Sequence, residues 1–253
     1  MKPRPGKFGY GFAARRIWYV VSAFVLYGQV WASICSAQVL TISKVDHNDV
    51  TDDIAREVLT VAYQRIGITF VVKEMPAARA LAESSSGLVD GEFQRRGGLS
   101  ETYPDLLQVK VPINWLDFCV FSRDVNFKPN GWKSLQPYRI GYHHGIVVIE
   151  DGTKGMNVDP ADTNELVMRK LIAGRTDIAV MNSIDGQLLL RQINDKSIIM
   201  LQPPVAHLQL YHYLHRKNAD IAKKLEKTLQ AMQADGTILS IRKRILTAAN
   251  LHD

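Results

Sequence analysis

The spacing of apolar positions changes repeatedly along this chain, and each change predicts an element. Residues 39–45 read as a strand. Thr51 is placed to cap a helix, with Asp52 and Asp53 in its first turn, where the helix dipole favours acids. Ile54, Val58, Leu59, Ala62 and Ile66 fall near one helical face, and Gly67 stops the helix. Residues 69–72 form a second strand that ends in Lys73 and Glu74. Pro76 suits a first helical position, and a helix over 77–85 carries Arg79 near its start and ends by Gly87. Strand–helix–strand–helix–strand is the order of a parallel sheet covered by helices.

Residues 87–112 read as a short buried strand at Leu88 and Val89, a polar loop, and a second strand over 106–111. The loop holds Glu92, Gln94, Arg95 and Arg96. Ligand-contacting groups gather at strand ends in packed α/β proteins. Paired arginines there suit carboxylate or phosphate, because the guanidinium fork matches either; solvated surface charge is the plainer explanation.

Residues 116–122 form a strongly apolar strand, and the polar run 124–133, with its Pro129-Asn130-Gly131 turn, reads as a crossover into a second unit. That unit opens with a strand over 138–142, followed by His143, His144 and Gly145. Residues 146–149 are apolar but too few to assign. Thr163 caps a helix with Leu166, Val167, Leu171 and Ile172 apolar, and a buried strand over 178–181 leads to a helix capped by Asn182 or Ser183. A strand over 198–201 precedes Pro203-Pro204, which reads as a break before a half-buried strand from Leu208 to His215. Two helices, separated at Asp235-Gly236, close the chain.

The 253 residues carry a net charge of +6, yet residues 1–37 hold five basic residues and no acidic ones. The remainder has 26 basic against 25 acidic residues, so a nucleic-acid partner is not implied. The basic start, the apolar run over 17–31 and the small residues ending at Ala37 read as a secretory signal that is cleaved; an anchored segment is the competing reading. Removal of Cys35 leaves Cys119 alone, without an intrachain disulfide, in an apolar strand that suits an inert core thiol.

Three segments together resemble the periplasmic solute-binding proteins of polar amino acid ABC transporters, extracellular solute-binding protein family 3. These are PAARAL with DGEFQRR and YPDLLQVKVP, then NELVMRKLIAGRTDIAVMN, then RKNADIAKKLEKTLQAMQADGTILSIRKR. The resemblance covers roughly residues 38–250. It implies the two-lobed type II periplasmic binding fold: an α/β architecture, each lobe a mostly parallel sheet flanked by helices, with ligand in the cleft between. Lobe one would be residues 38–122 with 206–253, lobe two 127–203, and the hinge would lie near 121–126 and 203–207. The place of the family's aromatic loop holds Asp46, His47, Asn48 and Asp49, and the place of its ammonium-binding Asp holds Asn182.

The arginine that grips a ligand carboxylate in that family matches Arg95 best, with Arg96 the near alternative. Arg79 at a helix start, Glu74 at a strand end, Glu92, Trp115, Tyr142, His143 and Asn182 complete the candidate ligand-binding set, each weighed against ion pairing or core packing. Catalytic signatures such as G-x-S-x-G, a Walker loop or H-E-x-x-H do not occur, and the His pair lacks spaced metal-ligand partners. The expectation is a monomeric periplasmic binder of a small polar, carboxylate-bearing solute. It would use no cofactor or metal and would serve an ABC permease or a membrane sensor. Enzymes resembling cyclohexadienyl dehydratases share the fold, so a periplasmic lyase using Glu92 or His143 is the alternative.

Overall fold

A computed structural model describes residues 1–2, 38–46 and 49–252. The expected signal segment therefore lies almost wholly outside the described residues, as do His47 and Asn48. Among the described residues, no helix is long and apolar enough to cross a membrane.

The strands are β1 (Val39–Val45), β2 (Thr69–Met75), β3 (Gly91–Arg96), β4 (Leu106–Gln108), β5 (Asn114–Ser122), β6 (Ile140–Tyr142), β7 (Ile178–Asn182) and β8 (Ile199–His215). The helices are α1 (Val50–Arg65), α2 (Ala77–Ser85), α3 (Leu99–Thr102), α4 (Val147–Gly152), α5 (Asn164–Ile172), α6 (Ser183–Ile193), α7 (Ala219–Ala234) and α8 (Thr237–Ala248). The strand order is β2-β1-β3-β8-β5-β7-β6, with β4 on β8. The two parallel sets are thus joined by the antiparallel β8 and β5 into one mixed sheet.

Two cores form along that sheet. Leu40 and Ile42 of β1, Phe93 of β3, one face of α1, and Leu225, Leu229 and Ile241 of the last two helices make the first. The second lobe has apolar clusters on both faces of β5: Phe118 and Val120 on one, Cys119 and Phe121 with α5 on the other. Phe121 and α6 meet so closely that a Cβ on Gly186 would come within 2.0 Å of the ring. A fourth cluster bridges the lobes: Ile54 of α1 and Leu246 of α8 pack on Ile184 of α6. Gln187 and His252 exchange hydrogen bonds beside it.

Several local expectations change. Asp49, not Thr51, caps α1 by accepting from the Asp52 N–H. Pro76 is the cap of α2 rather than its first residue. Of residues 146–149, unassigned from sequence, Ile146 caps α4 and Val147–Ile149 begin it. The prolines at 203 and 204 do not end a strand: β5 pairs with Ile199–Leu201 before them and with residues 206–210 after them, and a register shift absorbs the difference. The polar stretch 91–96 is a strand and not a loop. Its charges are tolerated because a bulge between Glu92 and Arg95 places both on the same buried pair, while Phe93 faces the core.

Candidate functional site

Strand direction locates the site. β1 runs parallel to β2 and β3, and β3 is antiparallel to β8. β8 is antiparallel to β5, β5 to β7, and β6 follows β7. The two parallel sets therefore point at each other, carboxyl ends inward, which is where ligands bind in open α/β sheets. Arg96, the last residue of β3, is level with Leu210 and Asn114. Asn182, the last residue of β7, is level with Phe118. Four residue steps along β5 separate those levels, a gap of roughly 13 Å at about 3.3 Å per residue. Residues 114–118 and 206–210 floor it. Phe118 to Ser122 pair with β7.

On the first-lobe side the charges are mutually satisfied. Lys44 is buried, with its ammonium 3.0 Å from Asp52 and 3.4 Å from Glu74. Gln94 donates to Asp52, and Asn114 donates to the Thr51 carbonyl and accepts from Arg242, which lies 4.0 Å over the Trp115 ring. Glu92 is only 1% exposed and meets Arg95 at 3.0 Å. Burial pushes the Glu92 carboxyl up; Arg95 and the hydroxyls of Ser84 and Ser43 oppose it. Arg95 also donates to the Ala77 carbonyl. Arg79 pairs with Glu83 on its own helix, at 2.7 Å.

The Asp-Gly ahead of these arginines serves the fold. Asp90 accepts from the Thr41 N–H and from Asn218, beside the Lys217 ammonium. Burial alone would raise its carboxyl, but those partners outweigh it and hold the pKa below the ordinary value. A Cβ on Gly91 would stand 2.1 Å from the Tyr213 carbonyl oxygen, so only glycine allows β3 and β8 to pair there.

On the second-lobe side, Asn182 caps α6 by accepting from the Ile184 N–H. Tyr142 packs into an apolar cluster, and burial, then Glu150, raises its hydroxyl pKa. His143 stacks on His144 and lines a 340 Å³ pocket with Thr163, Asn164 and Asp185. Of the eight expected site residues, direct contact joins Glu92 to Arg95; Glu74 and Arg79 pair elsewhere, and Trp115 lies under Arg242.

Sequence reading missed Lys44, Asp52, Asn114 and Arg242, and also the Asp117–His207 pair (2.7 Å) on the floor. A signal existed for two of them. Lys44 falls on the β1 face of Leu40 and Ile42, and Arg242 on the α8 stripe of Ile238, Ile241 and Ile245. A charge on a core stripe announces a buried partner.

A 650 Å³ cavity opens at one face of the floor. Arg96 borders it from β3, Phe118 and Leu208 from the floor, and α4 from lobe two. Among the described residues, no hydrogen bond or ion pair engages the Arg96 side chain. The neighbouring arginines thus differ: Arg95 is tied down, and Arg96 faces open space.

No family model matches the chain. An uncharacterised protein of Shewanella oneidensis is 26% identical over 191 residues, 72% of each chain. Three solved structures are similar over nearly their whole length. The probable amino-acid ABC transporter extracellular-binding protein of Bacillus subtilis has a TM-score of 0.67 at 16% identity, over 83% of this chain and 98% of that one. A histidine kinase sensor domain with similarity to periplasmic binding proteins gives 0.60 at 15%, over 83% and 96%. The VFT2 domain of Bordetella pertussis BvgS gives 0.59 at 15%, over 92% and 98%. The fold is the two-lobed periplasmic binding protein architecture.

Proposed function

We propose that the protein captures a small solute bearing an anionic group in the gap between its lobes, and passes it to a permease or reports it to a sensor outside the cytoplasm. The observation that carries this reading is the opposition of strand ends across a gap of small-molecule size, with Arg95 and Arg96 at one rim. Lobe one is residues 38–114 with 210–252, lobe two is 118–206, and the crossing segments are the hinge on which the lobes close. Arg95, held by Glu92 and the Ala77 carbonyl, and Arg79, at the start of α2, supply the positive wall. Tyr142, His143 and Asn182 close from lobe two. Glu92 positions Arg95 through their ion pair, and Glu74 and Trp115 complete the proposed ligand-binding set. The solute leaves unchanged; no group here is assigned to catalysis.

A thermal-shift screen of the purified protein against amino acids, dicarboxylates, polyamines, sugars and phosphates tests this. A ligand at about 100 times its Kd should stabilise by roughly 2.7 kcal/mol, a rise of a few degrees in Tm. The expected hit is an amino or organic acid whose shift is lost when Arg95 and Arg96 are both replaced by Ala. A hit that survives both substitutions overturns the anion assignment, and a flat screen overturns solute capture.

A further inference from the structure

We infer that the 650 Å³ cavity is the binding subsite for a zwitterion with a bulky apolar body, such as an aromatic or branched aliphatic amino acid. This rests on the reading that the gap between the lobes binds a solute. The body of the cavity is apolar: Phe118 and Leu208 form its floor, and Trp132 and Val147 stand in its wall. Val147 is 49% exposed in the first turn of α4, apolar surface left for a ligand to cover. Trp132 packs tightly on Gly152, where a Cβ would come within 2.2 Å of its ring.

The lining carries two charged side chains of opposite sign, Arg96 and Asp151. Among the described residues neither has a hydrogen-bond or ion-pair partner. This sets the cavity apart from the first-lobe wall, where every candidate cation is already paired. A carboxylate fits the open guanidinium fork of Arg96, and an ammonium fits Asp151.

Other solute classes fit worse. A sugar would set hydroxyls against the apolar wall without partners. A dicarboxylate would bring its second charge to Asp151 or to the wall, and a polyamine would meet Arg96. A volume of 650 Å³ lies within the range of small-ligand pockets, roughly 300–1,000 Å³.

Isothermal titration of the purified protein with L-phenylalanine, L-leucine, 3-phenylpropionate and 2-phenylethylamine tests the inference. One zwitterion is expected to bind, and each single-charge analogue to bind at least about tenfold more weakly. Arg96→Ala should erase the advantage over the amine, and Asp151→Asn the advantage over the acid. Both side chains are exposed, so circular dichroism should not change. The inference is overturned if the analogues match the zwitterions, or if both variants bind like the parent. Binding of a polar solute without any apolar zwitterion removes this subsite and keeps solute capture. Silence from these probes and from the whole solute panel removes both.

Discussion

Two neighbouring arginines of β3 are put to opposite uses. At Gly91–Arg95 the strand is built into the fold: Gly91 lies under the Tyr213 carbonyl, and Glu92 and Arg95 neutralise one another in the interior. One residue on, Arg96 faces a cavity with no partner among the described residues. What separates adjacent arginines is the supply of carboxylates around each, fixed by which face of a bulged strand each occupies. A charge whose partner is already buried beside it is structural first; a charge facing an open apolar cavity is available to a ligand.

The largest test of that contrast lies in the satisfied wall. Lys44→Ala would leave Asp52 buried without its ammonium and should cost about 3–5 kcal/mol, read from urea unfolding. A loss below 1 kcal/mol would show that the wall is not the structural half of the molecule.

Two histidines of β8 extend the same comparison. His207, half exposed, bonds to Asp117 on the floor. His212 is buried, donates from Nδ1 to the Phe93 carbonyl, and accepts the Tyr63 hydroxyl at Nε2, an arrangement that requires the neutral ring. Burial lowers its pKa from 6.5 to about 4, against the opposing backbone carbonyls. As pH falls, the unfolded chain takes the proton first. The stabilisation is therefore complete above pH 6.5 and lost as pH falls to about 4. The loss amounts to about 3 kcal/mol. Unfolding midpoints across that window should fall, and His212→Gln should flatten the slope.

The sharpest comparison sets the two arginines side by side. Arg95→Ala exposes Glu92 to burial without its cation and should cost about 2 kcal/mol. Arg96→Ala, on an exposed side chain, should change stability by less than about 0.5 kcal/mol. Equal costs would erase the distinction between the two arginines.

Much of the fold was legible because its signals are local. The helical face of Ile54, Val58, Leu59 and Ala62 is the face that α1 buries. The Thr163 cap accepts from the Leu166 N–H, and Cys119 is buried, its thiol pushed up to about 12 by burial and then by Asp117. The stretch 91–96 was misread because propensity scores charges one at a time. A Glu and an Arg three apart look like a loop until a bulge brings them onto one face of a strand. The site was legible by place and not by role. Strand ends were the right region, yet nothing in the local sequence told Arg95 from Arg96 or reported that Arg79 would turn to Glu83.

The sequence by itself determined the α/β alternation, the main apolar faces and the position of polar groups after strands, because periodicity and caps depend on neighbours within a few residues. Tertiary structure alone decided which charges cancel, where β5 and β8 cross between the lobes, and which arginine meets open space. Those outcomes depend on pairings such as Lys44 with Asp52, Asn114 with Arg242 and Asp117 with His207. Those partners are separated by eight to 128 positions in the chain. An ion pair needs proximity of a few ångströms in space, which only the completed sheet and the helices packed on it supply.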